Sequence, residues 1–252
     1  MKIYLDYNVL IFLKDKKSSE INSEELEKKI ANYKLNGHCF FFSPAHLEEL
    51  AVSKRHSDVD DEVIIRDIGY FTYFFGKNSI RPKDDSVVFR TEYPGTCYNR
   101  AISDSYLNDC VESFSKKRLK TIKSIKKNNS QKMLDKSDFD VLIDHLRNIE
   151  SEAFSDIIVY KDENTLSLIR NSFNFRQNAI EALFHLCELK NIYPEKMKNS
   201  RSRLYDIGHI IYASYTDLFI THDEKLFQKA KIIYDFLNIK TEVLYLNELL
   251  SN

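Results

Sequence analysis

The 252-residue sequence predicts an α/β protein, a three-layer α/β/α arrangement with a central, mainly parallel sheet and a long all-helical insertion. Short apolar runs at Ile3–Leu5, Cys39–Phe42, Leu218–Ile220 and Thr241–Leu246 read as strands, and the first and third are continuous, as in strands buried on both faces. Helical periodicity lies between them, and β–α alternation implies parallel pairing. The middle of the chain reads instead as helices joined by polar loops. Residues 1–56 and 200–252 are therefore expected to form the core, with 57–199 as the insertion.

In chain order, the first strand ends on Asp6-Tyr7-Asn8 and gives way to an apolar helix signal from Val9 to Leu13. The charged segment from Asp15 to Lys34 places Ile21, Leu26, Ile30 and Tyr33 close to one face, a surface helix closed by Asn36-Gly37. Ser43-Pro44 starts the next helix, Ser as N-cap and Pro at the first helical position. Inserted helices are expected at Val63–Phe75, Leu107–Lys127, Asp138–Ile149 and Asn164–Ile192, with an irregular excursion from Pro82 to Tyr98. Ile207, Ile210 and Ile211 mark a helix that feeds the strand Leu218–Ile220 through Tyr215-Thr216-Asp217. Residues 224–237 read as an amphipathic helix before the last strand.

Composition narrows the class only partly. With 37 basic and 38 acidic side chains, the net charge of −1 argues neither for nor against nucleic acid, so local charge must decide. Cys39, Cys97, Cys110 and Cys187 are scattered with no C-x-x-C pair, and no stretch of 18 apolar residues occurs. A cytoplasmic protein with reduced thiols and no membrane association is expected.

The chemistry concentrates at strand ends. Asp6 and Asp223 follow strands, Glu49 lies in the helix after the second strand, and Asp206 opens a helix that runs antiparallel to the strand it precedes. All four are therefore expected at the carboxyl edge of the sheet, where open α/β folds build their sites. Two carboxylates about 4 Å apart repel by roughly 4 kcal/mol at an effective dielectric of 20. Protonation of some members would relieve that repulsion, and so would a hard divalent cation, Mg²⁺ or Mn²⁺. Such an ion suits phosphodiester hydrolysis.

Leu5-Asp6-Tyr7-Asn8-Val9-Leu10, Ser43-Pro-Ala-His-Leu-Glu-Glu-Leu50, and Asp206 through Phe219-Ile-Thr-His-Asp223 resemble, in order, the three motif blocks of the PIN domain. The resemblance covers somewhat under half of the chain. It implies a metal-dependent nuclease, with Asp6, Glu49, Asp206 and Asp223 as metal ligands and catalytic acids and Asn8 orienting the first Asp. Ser43 and Thr221 fall inside the matching blocks as supporting residues. Tyr7 departs from the Thr or Ser usual between the first Asp and Asn, and the insertion is far longer than in compact members.

His46, one turn before Glu49, and His209, three residues after Asp206, are candidate phosphate donors or partners of the acids; a locally bonded helix His is the alternative. Between Ser113 and Leu134 stand Lys116, Lys117, Arg118, Lys120, Lys123, Lys126, Lys127 and Lys132 with no acid. They read as a nucleic-acid-binding face or as a solvated one, and Arg201 and Arg203 belong to a second basic cluster. The expected activity is a Mg²⁺- or Mn²⁺-dependent endonuclease acting on RNA in preference to DNA. A catalytically inactive scaffold that binds nucleic acid or a protein partner is the alternative, and a homo-oligomer contact on the inserted helices is compatible with either. A haloacid-dehalogenase phosphatase would need an Asp where Asn8 stands.

Overall fold

A computed structural model describes residues 1–16, 22–56, 60–103, 133–135, 137–143, 163–194 and 202–251. The chain runs β1 (Lys2–Leu5), α1 (Tyr7–Asp15), α2 (Ser23–Leu35), β2 (Cys39–Phe41), α3 (Pro44–His56), α4 (Asp61–Phe75), β3 (Asn78–Lys83), β4 (Ser86–Thr91), α5 (Pro94–Ser103). It continues α6 (Glu163–Asn171), α7 (Phe173–Leu189), α8 (Ser202–Ala213), β5 (Leu218–Thr221), α9 (Glu224–Phe236), β6 (Glu242–Tyr245), α10 (Leu246–Ser251). Among the described residues no helix is long and apolar enough to cross a membrane.

Four strands form a parallel sheet in the order β2-β1-β5-β6. Alternation along β1 and β5 sends Tyr4 and Phe219 to one face and Ile3, Leu5, Leu218 and Ile220 to the other. The first face is covered by α7, α8 and α9 through residues such as Ile180, Ile210 and Ile233. The second is covered by α1 to α5 and α10, with Val9, Leu26, Leu47, Phe71, Cys97 and Leu249 in the core. Three layers follow from this two-sided burial, as the apolar runs predict. The chain leaves β1 toward β2 on one side and returns as β5 on the other, so the β1–β5 crevice is the topological switch point of the sheet.

The insertion is not all-helical. β3 and β4 form an antiparallel hairpin, Ile80 opposite Phe89 and Pro82 opposite Val87, closed by a two-residue loop with Asp84 at φ 53°. Phe42 docks it on β2 by accepting from the Ile80 N–H at 2.7 Å and donating to the Asn78 carbonyl at 3.1 Å. Pro82 argues against a central strand but is tolerated at an edge, so a segment that looks irregular in sequence is a strand here. Pro94 then occupies the first position of α5.

The helix expected over Asn164–Ile192 is broken at Ser172. Its hydroxyl accepts from the Phe175 N–H at 3.2 Å, capping α7, and donates to Asp85 Oδ1 at 2.7 Å. Asp85 also accepts from the Asn174 N–H, which ties the hairpin loop to the start of α7. Buried Arg176 fastens the same region: its guanidinium donates to the carbonyls of Ile169 and Arg170 at the end of α6 and of Ser214 after α8, and lies 3.9 Å over the Tyr215 ring. The expected helix at Leu107–Lys127 lies outside the described residues. That at Asp138–Ile149 is described only over 137–143, which are helical.

Candidate active site at the carboxyl edge of the sheet

Asp6 leaves β1 in the N-cap position of α1, but its side chain makes no capping hydrogen bond. It turns into the β1–β5 crevice, where Oδ2 accepts from the Thr221 hydroxyl at 3.0 Å and Oδ1 lies 3.8 Å from His209 Nε2. Burial pushes its carboxyl up to about 6, with Glu49 and Asp223 adding to the rise against the pull of His209 and Thr221. Thr221 also accepts the Asp223 N–H at 3.0 Å, so one hydroxyl connects both strand-end acids. Asp223 caps α9, Oδ1 accepting from the Lys225 and Leu226 N–H groups at 2.8 and 2.9 Å.

Glu49 Oε2 accepts from His209 Nε2 at 3.2 Å. The charge of the adjacent Glu48, about 100° further round the helix, helps to raise the pKa values of Cys97 and Tyr212 and also that of His209. Asp206, on the first turns of α8, has no hydrogen bond or ion pair among the described residues. Burial, followed by the charges of Asp6, Asp223 and Glu49, holds it well above the ordinary carboxylate range, with buried Lys229 opposing. Lys229 itself pairs with Glu188 at 2.6 Å, both of them buried.

The charges of Glu49 and Asp223 bear on Asp6 and Asp206 across the crevice. Carboxylate oxygens are the donor type that Mg²⁺ or Mn²⁺ takes, and such an ion would relieve the repulsion that adds to burial in raising Asp6 and Asp206. Their spacing is looser than a closed metal centre: among the described residues, no three His, Cys, Asp or Glu side chains stand close enough to hold an ion. His209 lies between Asp6 and Glu49 instead. Burial opposes its charge, but the Glu49 hydrogen bond and the nearby Asp6, Glu49 and Glu48 carboxylates outweigh that cost and raise its pKa.

Several supporting residues stand elsewhere than expected. Asn8 is exposed on α1 and makes no hydrogen bond to Asp6; Thr221 holds that carboxylate instead. His46 is fully buried, with Nε2 donating to the Leu5 carbonyl at 2.8 Å and Nδ1 accepting from the Ser43 N–H at 3.1 Å. Both ring nitrogens are consumed internally, so His46 is a support beneath the site and not a phosphate donor. The Ser43 hydroxyl is directed to the Tyr4 phenol at 2.6 Å. Tyr7 leans on Phe71 of α4, their ring centroids 6.1 Å apart. Arg203, expected to face phosphate, is buried at 3% exposure. Arg201 and the basic residues Lys116, Lys117, Arg118, Lys120, Lys123, Lys126, Lys127 and Lys132 lie outside the described residues.

Sequence reasoning missed Tyr4 and the Lys229–Glu188 pair. The available signal for Tyr4 was a hydroxyl-bearing residue in an otherwise aliphatic strand, Ile3-Tyr4-Leu5; a buried Tyr needs a hydrogen-bond partner. No family model, curated protein or solved structure matches the chain.

Proposed function

We propose that the chain is a divalent-metal-dependent phosphodiesterase of the PIN-like kind, a nuclease with RNA favoured over DNA as substrate. The observation that carries this reading is geometric: at the switch point of a parallel sheet Asp6 and Asp223 are joined through the Thr221 hydroxyl, and His209 stands between Asp6 and Glu49. Burial and the neighbouring acids raise Asp6 and Asp206, in keeping with it. Clustered, partly buried carboxylates at that place are costly unless they are protonated or something cationic joins them. Asp6, Glu49, Asp206 and Asp223 are the residues that would hold the ion, and Mg²⁺ or Mn²⁺ bound there would activate water and neutralise phosphodiester charge. Thr221 fixes the orientation of Asp6, and His209 does the same for Glu49 by donating to one of its oxygens.

The test is incubation of the purified protein with labelled RNA and DNA in Mg²⁺, Mn²⁺ or EDTA. Cleavage that requires metal and disappears in Asp6→Asn and Asp206→Asn is the expected result. A melting temperature that rises with millimolar metal would accompany it through linkage. A second reading, a non-catalytic scaffold that binds nucleic acid or a partner, is favoured by the loose spacing of the acids and by His209 standing between two of them. Binding of RNA without cleavage in any metal would establish that reading and sink the first.

A further inference from the structure

Beneath the acids lies a closed polar network in the middle of the core. Tyr4, Ser43 and His46 are completely buried and His209 is 1% exposed, yet they come from β1, the β2–α3 junction, α3 and α8. The Tyr4 hydroxyl is the hub: 2.6 Å from Ser43 Oγ, 2.8 Å from His209 Nδ1 and 3.3 Å from His46 Nδ1. Gly208 sits where α8 meets α3, and an added Cβ there would lie a tight 3.2 Å from the Ala45 Cβ. Glycine lets α8 approach α3 closely enough for the His209 and His46 rings to sit 4.8 Å apart.

The direction of each hydrogen bond follows by elimination. The Leu5 carbonyl can only accept, so His46 Nε2 carries the hydrogen; the Ser43 N–H can only donate, so His46 Nδ1 is the acceptor. That acceptor being filled, the single Tyr4 proton has two strong partners, Ser43 Oγ and His209 Nδ1. Burial keeps the phenol protonated by raising its pKa well above the ordinary value. At the far side of His209, the Glu49 carboxylate can only accept, so Nε2 carries a hydrogen there. The neutral ring then needs a donor at Nδ1, and the Ser43 hydroxyl in turn donates to the Tyr4 oxygen.

We infer that Tyr4 is a positioning residue of the carboxyl-edge site: its hydroxyl donates to His209 Nδ1 and, together with the Glu49 acceptor on the other side of the ring, holds the tautomer with hydrogen on Nε2 aimed at Glu49. This rests on the nuclease reading only for its consequence in catalysis. The phenol acts through His209 and touches no acid itself. A ring nitrogen bonded on one side has the other nitrogen defined, the logic by which outer partners fix metal-site histidines. In this chain the partner comes from a strand 205 residues away in sequence.

The experiment is side-chain ¹⁵N–¹H correlation spectroscopy of the full chain in metal-free buffer, at a pH above the transition that the His209 resonances themselves report. Wild type should show His209 with hydrogen on Nε2 and a hydrogen-bonded, bare Nδ1. Tyr4→Phe keeps the ring and should give a mixture of His209 tautomers while His46, pinned by backbone groups, is unchanged. Ser43→Ala, which removes the donor behind Tyr4 and leaves the Ser43 N–H on His46, serves if Tyr4→Phe does not fold, and should shift the His209 Nδ1 resonance more than those of His46. A wild-type His209 with hydrogen on Nδ1, or a His209 signal indifferent to whichever variant folds, overturns the inference. If the wild type cleaves RNA, Tyr4→Phe should also lower kcat by about 10- to 100-fold with KM little changed. In His209→Gln, whose amide donates to Glu49 without Tyr4, adding Tyr4→Phe should cost nothing further. A wild type that fails to cleave removes the nuclease reading and leaves the spectroscopic result to decide the role of Tyr4.

Discussion

Thr221 and Asp6, at the ends of neighbouring strands and 215 positions apart, share a hydrogen bond of 3.0 Å in which the hydroxyl donates to the carboxylate. The same oxygen receives the Asp223 N–H, so a single side chain sets the spacing of two acids. Thr221→Val keeps the shape and removes both bonds. It should destabilise the protein by about 1–3 kcal/mol, because a buried carboxylate and a backbone donor lose their partner. Thr221→Ser should recover most of that loss. Urea unfolding with an unchanged m-value checks it, and a change under about 0.5 kcal/mol for Thr221→Val would contradict the assignment.

The raised pKa of Asp6 fixes a pH dependence. Its proton is held more tightly in the folded than in the unfolded chain, so its contribution is most favourable below 3.8 and is lost as pH rises toward about 6. A rise from 3.8 to about 6 corresponds to roughly 3 kcal/mol, shared with the neighbouring acids. His209, also raised, contributes stability below its unfolded pKa that fades as pH rises through the folded one, which has the same sign. His46, kept neutral by burial, works in the opposite sense, so the Asp6 part is read as a difference. In EDTA, Asp6→Asn should gain stability relative to wild type as pH rises from about 4 to neutral, and a difference that stays constant with pH would count against the assignment.

The close approach of α8 and α3 makes Gly208 a sensitive position. Gly208→Ala gains helix propensity but drives a methyl into Ala45, and overpacking of this kind costs about 1–3 kcal/mol. The thermal midpoint should fall, and Ala45→Gly in the same chain should restore it. A midpoint that rises in the single variant would show that the helices can part freely.

Glu49 and Glu48 separate by helix phase. Glu49→Gln removes the carboxylate that accepts from His209 and should abolish metal-dependent cleavage, whereas Glu48→Gln, about 100° round the helix from it, should leave most of it. Single-turnover cleavage assays of the two variants decide, and the opposite ranking would mean that Glu48 serves the site.

The basic stretch offers a test of nucleic-acid binding independent of cleavage. Replacing Lys116, Lys117, Lys120 and Lys123 by Gln should weaken RNA binding and flatten its salt dependence, with a slope loss of about 0.7 per phosphate contact on a single strand. Fluorescence anisotropy across a salt series measures it in EDTA. An unchanged slope would make these lysines a solvated face.

The sequence by itself determined the frame: the apolar runs at Ile3–Leu5 and Leu218–Ile220 and the intervening helix signals, hence a parallel sheet covered on both faces. It also determined the place of Asp6, Glu49, Asp206 and Asp223, because the direction of a strand and of the helix beside it is fixed by local periodicity and chain order. Only the tertiary structure decided what surrounds those acids. The Tyr4–His209 bond, the stand of His209 between Asp6 and Glu49, and the burial of Arg203 depend on helices meeting from distant parts of the chain. The hairpin at Asn78–Thr91 was hidden for a related reason: its strands are held at an edge by Phe42 and packed against Phe41, and neither partner is near them in sequence. Periodicity records which face of an element is apolar; which polar groups meet inside the core is set by how closely the elements pack, as at Gly208 and Ala45.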